Sequence, residues 1–191
     1  MGCKVVAVEP QVGCCRRLRR EFGIDPRVHL VQAAVGRQPG HARLHVSPDH
    51  VLSTLSQAFI DRTMGSGRFA SARWDRVEDV EVMTLDQLIA EYGMPQFIKI
   101  DVEGYESEVL AGLSHAVAAL SIEWTPELPE NARVCLRRLD TLGDYEFNLT
   151  WGESMRFSRP RWRSLESMLA VIDEFEGENQ LFGDIFARVR S

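Results

Sequence analysis

The sequence predicts a doubly wound α/β domain built on a mostly parallel sheet. Short apolar runs rich in valine and isoleucine alternate with stretches of helical periodicity along nearly the whole chain, which is the signature of strand-helix-strand units. The run Phe97-Ile98-Lys99-Ile100 ends abruptly in Asp101 and Glu103, turns at Gly104 and enters a helical stretch. A buried parallel strand does this where it reaches the carboxyl edge of a sheet, and open α/β sheets bind their ligands at that edge. No internal repeat or linker-like stretch divides the 191 residues, so residues 1–191 are read as one domain, long enough for its own core.

Each element has a local cause. Val5 to Val8 is a buried-type strand, closed by Glu9 and Pro10 because proline cannot continue the ladder. Gln11 to Phe22 carries Cys14, Cys15, Leu18 and Phe22 at helical spacing, and Gly23 ends it. Arg27 to Gly36 reads as one strand, and Gln38-Pro39-Gly40 as a turn into an alternating arm, His41 to Val46. Ser47 to Asp75 shows little periodicity and reads as a long surface loop with at most one short helix; whether Ser53-Thr54-Leu55-Ser56 within it faces the cleft is left open by the sequence. Val77 to Met83 is a strand. Thr84 caps a helix from Leu85 to Tyr92, which Gly93-Met94-Pro95 terminates. After the Phe97 strand come a helix (Tyr105 to Gly112), a strand (Val117 to Trp124), a helix (Pro129 to Leu142) and a strand (Tyr145 to Trp151). An aromatic and basic loop to Arg163, a helix (Ser164 to Phe175) and a last strand (Phe182 to Val189) complete the chain.

Composition narrows the partners. A net charge of −6 argues against a large nucleic-acid footprint, and Arg16, Arg17, Arg19 and Arg20 read as the solvated face of a helix. Cys3, Cys14, Cys15 and Cys135 form neither a zinc pattern nor a disulfide framework, which fits thiols in a reducing cytoplasm. No stretch has the length and apolarity of a membrane span, and no signal-peptide core opens the chain.

Four stretches, Val5 to Gln11 (VVAVEPQ), Ala33 to Gly36 (AAVG), Val82 to Leu88 (VMTLDQL) and Phe97 to Glu106 (FIKIDVEGYE), are followed by Leu110-Ala111-Gly112. In wording, order and spacing they resemble the FkbM family of S-adenosylmethionine-dependent methyltransferases. The resemblance covers Met1 to Trp124, and the remainder only by strand-helix order. It implies a Rossmann-like class I methyltransferase fold and an O-methyltransferase acting on a hydroxyl of a sugar or secondary metabolite. It also implies roles. Glu9, followed by Pro10, would close the second strand of the fold and accept hydrogen bonds from the ribose diol of the cofactor, for which a carboxylate has the acceptors. Ala34 and Val35 would support the adenine. Asp101 would lie beside the methionine part of the cofactor and the acceptor.

The chain departs from the family at its start. The family opens with a strand and a glycine-rich turn that cradles the cofactor, whereas Met1 to Pro10 resembles the end of the first helix running into the second strand. The expectation is a fold lacking its first strand and glycine-rich turn, with Met1 not the native start or the gene a fragment. Two inner strand edges would then need partners, unless the second strand pairs directly with the fourth, and this chain alone would bind the cofactor weakly or not at all. A non-catalytic α/β remnant that binds no cofactor is the alternative reading. A nicotinamide enzyme fares poorly, because no G-x-G-x-x-G occurs.

Methyl transfer requires an acceptor oxygen aligned with the methyl group and relieved of its proton. Asp101 and Glu103 are the first candidates to take that proton. Lys99 inside an apolar strand and Glu123 in Ser121-Ile122-Glu123-Trp124 are charges that need partners if buried. They are expected to meet each other or the Asp101 cluster, as a structural ion pair or in an acid–base or orienting role. A divalent metal on these acids is an open alternative, but no histidine is near them in sequence and no metal ligand is assigned. The histidines read as incidental. Trp151, Phe157 and Trp162 with Arg156, Arg159, Arg161 and Arg163 read as loop packing or as a cap over the acceptor.

Overall fold

The computed structural model describes residues 2–66, 69, 71–152, 154, 156–177 and 182–190. In chain order the elements are β1 (Val5–Val8), α1 (Val12–Phe22), β2 (Val28–Val31), β3 (Ala34–Val35), β4 (Gly40–Val46), a 3-10 turn (His50–Leu52), α2 (Gln57–Ser66) and β5 (Arg76–Met83). Then follow α3 (Leu85–Tyr92), β6 (Ile98–Ile100), α4 (Glu106–Ala111), β7 (Ala119–Trp124), α5 (Pro129–Leu142), β8 (Tyr145–Leu149), α6 (Leu165–Glu174) and β9 (Gly183–Val189).

The strands form three sheets, ordered β1-β2, β3-β5-β4 and β6-β7-β9-β8. The α/β class is as predicted. The mostly parallel, doubly wound sheet is not: the sheets are mixed. β4 runs antiparallel to β5, and β9 antiparallel to both β7 and β8. The cause at the carboxyl end is the route of the chain. After β8 it doubles back along the same strand, with Phe147 and Arg163 exchanging backbone hydrogen bonds at 2.8 Å. Helix α6 therefore starts beside the middle of β8, and β9 begins where β8 ends, with Thr150 N–H donating to Asp184 O.

Two further expectations need correction. The single strand from Arg27 to Gly36 is two strands in different sheets, β2 on β1 and β3 on β5. The stretch from Ser47 to Asp75 holds one short helix, α2, as expected, but it does not lie wholly on the surface, because Phe59 and Thr63 of α2 are fully buried. The capping box at Thr84 is present, with Thr84 Oγ1 accepting from Gln87 N–H and Gln87 Oε1 from Thr84 N–H.

The main core is gathered on one side of the β6-β7-β9-β8 sheet. Leu110, Leu113, Leu120, Ile122, Leu136, Leu139, Phe147 and Met168 are fully buried in it. Tyr145 anchors a corner, its hydroxyl bonding to both N–H and C=O of Val117. Val8 and Val31 reach this core only half-buried. Among the described residues β1 pairs with β2 alone and β6 with β7 alone, so β1 does not pair with β6. Consistent with open edges, Val5 is 43% exposed, Val6 37% and Phe97 48%. No helix among the described residues is long and apolar enough to cross a membrane.

Candidate active site at the carboxyl rim

The short strand β6 delivers Asp101 to the rim, and the chain then makes a tight turn. Glu103 has φ +53° and Gly104 φ +84°, both in the left-handed region. Gly104 is required twice over. Its φ disfavours any other residue, and a Cβ there would lie 2.9 Å from Phe59 Cβ and 2.7 Å from Leu128 Cδ1. The turn brings one carboxylate oxygen from each of Asp101, Glu103 and Glu123 within 4.8 Å of one another. Three of the four predicted catalytic residues thus meet at one point.

Three acids this close cannot all ionise cheaply. Glu123 takes the burden: burial first, then the charges of Glu103, Asp101 and Glu106, raise its pKa well above the ordinary carboxylate range. Its Oε2 is buried without a hydrogen-bond partner. At neutral pH Glu123 therefore holds a proton that it can share with its neighbours. This crowding is also the donor set that a divalent cation would take, three hard oxygen ligands and no nitrogen.

Lys99 is the fourth. The expectation of a buried lysine is corrected, because its side chain is 52% exposed on the open face of β6. Its Nζ lies 3.1 Å from Asp101 Oδ2 and 3.1 Å from Asp184 Oδ1. Of the two expected partners the Asp101 cluster is the one it meets, and Asp184 was not foreseen. Partial burial lowers the Lys99 pKa, but the two carboxylates outweigh it and the net shift is upward. Asp184 stands opposite Glu123 in the β7-β9 register.

The other predicted residues lie on β1 and β3. Glu9 closes β1, and its Oε1 accepts from Gln11 N–H at 2.7 Å. Burial raises its pKa although Gln11 and His50 oppose this. The buried Cys15 thiol donates to the Glu9 carbonyl at 3.0 Å. Pro10 is half-buried between Glu9 and Gln11. Ala34 is buried in the small sheet with Leu44, Val80 and Val82, whereas Val35 remains half-buried against the main core. Just beyond them, Arg37 forms a two-pronged ion pair with Glu108 of α4 at 2.8 and 3.0 Å.

A hydrogen-bonded path joins the ends of β1 and β6. Gln11 Nε2 donates to His50 O at 3.0 Å, and Ser53 Oγ donates to Gln11 Oε1 at 3.2 Å. The next residue, Thr54, donates from Oγ1 to Glu103 O at 2.7 Å. This path ties the end of β1 to the turn after β6, and Thr54 and Ser56 beside it are buried. The aromatic and basic loop, by contrast, is packing: Trp151 meets Trp124 and Phe175, Phe157 meets Trp162 and Phe186, and Arg188 sits 4.2 Å over the Trp162 ring. A separate concavity of about 560 Å³ between Ser47, Leu52, Phe69 and Arg73 contains none of the predicted residues.

Sequence reasoning missed Glu106, Asn131 and Asp184. Glu106 is the last residue of the recognised motif, and its position two residues past Gly104 at a helix start was the available signal. Asn131 and Asp184 reach the turn and Lys99 only through tertiary contacts.

Acids thus stand at the carboxyl ends of β1 and β6, the edge at which open α/β sheets bind their ligands. The Methyltransferase FkbM domain model matches residues 1–149. The chain belongs to the FkbM methyltransferase family. No curated protein matches it.

Proposed function

We propose that the protein is an S-adenosylmethionine-dependent O-methyltransferase acting on a hydroxyl of a small molecule such as a sugar or secondary metabolite. The observation that supports this is the path from Glu9 through Gln11, Ser53 and Thr54 to Glu103, which ties the end of β1 to the turn after β6.

The residues present fit the donor in part. Glu9 is a half-buried carboxylate, and two contacts from Gln11 leave part of its roughly four acceptor positions for a diol. Val35 offers half-buried apolar surface for a purine, while the more deeply buried Ala34 serves behind it. Asp101, at the end of β6, would lie beside the methyl group in this reading. When bound, the donor supplies an electrophilic methyl group. What the chain must add is orientation of the hydroxyl and removal of its proton. Asp101, held by Lys99 and partly open to solvent, is the base in this reading. Glu103 and protonated Glu123, each with a carboxylate oxygen within 4.8 Å of it, would steady the charge as the proton arrives.

The open edges of β1 and β6 support the second reading, a folded module with weak or absent cofactor affinity. Calorimetry with S-adenosylhomocysteine, joined to transfer of labelled methyl groups to a panel of hydroxyl compounds, separates the two. The first reading expects saturable binding that Glu9→Ala weakens about tenfold or more, the loss of a charged hydrogen-bond pair. No heat and no transfer with the folded wild-type chain would leave only the second.

A further inference from the structure

Glu106 is 1% exposed, and its carboxylate is hydrogen-bonded to the backbone and to Asn131. Its Oε1 accepts from the N–H groups of Val102 and Gly104, both at 3.2 Å. Its Oε2 accepts from Asn131 Nδ2. Asn131 Oδ1 in turn accepts from Ser107 N–H at 3.2 Å, which fixes the amide's orientation. The two clamped amides bracket Glu103, the described non-glycine residue with positive φ.

Left to itself a glutamate avoids that conformation, at a cost on the order of 1 kcal/mol. One oxygen drawing two amides inward holds the Asp101–Val102 and Glu103–Gly104 peptide planes, and so the turn between them. Thr54 Oγ1 holds its carbonyl from the other side. Burial of the Glu106 carboxyl is itself unfavourable and pushes its pKa up to about 6 despite these bonds. A buried acid is a poor choice for stability alone, but a good one for fixing a single backbone geometry.

We propose that Glu106, oriented by Asn131, is the positioning residue of the site: it sets the left-handed turn that carries Glu103 to Asp101 and Glu123. The assignment rests on the reading of that cluster as the proton-accepting end of a methyl-transfer site.

The test is a donor–acceptor swap. Glu106→Gln sets its new NH₂ group against either Asn131 Nδ2 or the two backbone N–H groups, a donor–donor conflict in both orientations. Adding Asn131→Asp restores the match, because the aspartate accepts both from the new side-chain NH₂ and from Ser107 N–H. The single variant is expected to speed amide exchange at Val102 and Gly104 about tenfold or more, the loss of about one hydrogen bond. It should lower kcat by a similar factor while KM and the affinity for S-adenosylhomocysteine stay within about twofold. The double variant should recover both. Unchanged exchange in the single variant, or no recovery in the double, would overturn the assignment. If Glu106→Gln does not fold, Asn131→Ala removes only the orienting amide, and unaltered exchange at Val102 and Gly104 there overturns it equally. If exchange follows the swap while the wild-type chain transfers no methyl group, the clamp stands and the methyl-transfer reading is what fails.

Discussion

The two sides of the rim are built to different standards. The β6-β7-β9-β8 side rests on a core whose buried members run from Leu85 to Ala187. The β1-β2 side contributes no buried residue to that core, only Val8 and Val31 at half burial, and shows Val5 and Val6 to solvent. The acids proposed for proton removal thus stand on the stiff half, and the acid proposed for the ribose on the soft half. The general lesson is that a shared rim does not imply shared stability, because local opening follows local burial. The first way to break the comparison is to truncate one residue on each side. Phe147→Ala, in the fully buried part of β8, should cost about 3–5 kcal/mol in urea unfolding through lost transfer energy and the cavity left behind. Val6→Ala, on the exposed edge, should cost about 0.5 kcal/mol or less. Similar costs at the two sites would mean that the β1-β2 side is as well packed as the other.

A smaller effect probes the stiff half alone. Glu123 has its pKa raised from an ordinary 4.5 by burial among like charges. A raised acid binds its proton more tightly folded than unfolded, so its contribution is complete below the unfolded pKa and is lost as pH rises toward the folded one. Wild-type stability should therefore fall as pH climbs from about 4.5 through the neutral range. Glu123→Gln removes this dependence and should be more stable than wild type at pH 8, by on the order of 1 kcal/mol, with little difference at about pH 4. Glu106, raised to about 6, titrates in both proteins, so only its coupling to Glu123 enters the difference. Parallel stability curves across this range would show that Glu123 is ionised in the fold and that the shared-proton picture of the cluster is wrong.

What could be read from the chain divides along the same line. The acidic turn after Ile100 was legible because an apolar run, two acids and a glycine occur together in a short stretch. Thr84 was legible as a cap because its partner Gln87 is one helical turn away. The break between β2 and β3 was not, since Val28 to Val35 is a continuous mainly apolar run without the glycine or proline that marks an interruption. The buried face of α2 was hidden by the serine-, glycine- and arginine-rich stretch around it. Asp184 could not be assigned to Lys99 because the antiparallel β7-β9 pairing that places it there depends on the return of the chain along β8. The exposure of Lys99 follows from the open face of β6, which an apolar run does not reveal.

The smallest expected effect concerns that lysine, where stability and chemistry should part. Lys99 bridges Asp101 and Asp184, but it is half-exposed and so is Asp101, so water screens both ion pairs. Lys99→Met keeps the aliphatic stem over the sheet and removes only the charge, which should change unfolding free energy by less than about 1 kcal/mol. The same substitution removes the cation that orients Asp101. If Asp101 is the base, kcat for methyl transfer should fall about tenfold in Lys99→Met, while stability stays nearly unchanged. A substitution that lowers stability by several kcal/mol would make Lys99 a structural tie of the rim. An unchanged kcat would remove Lys99 from the site.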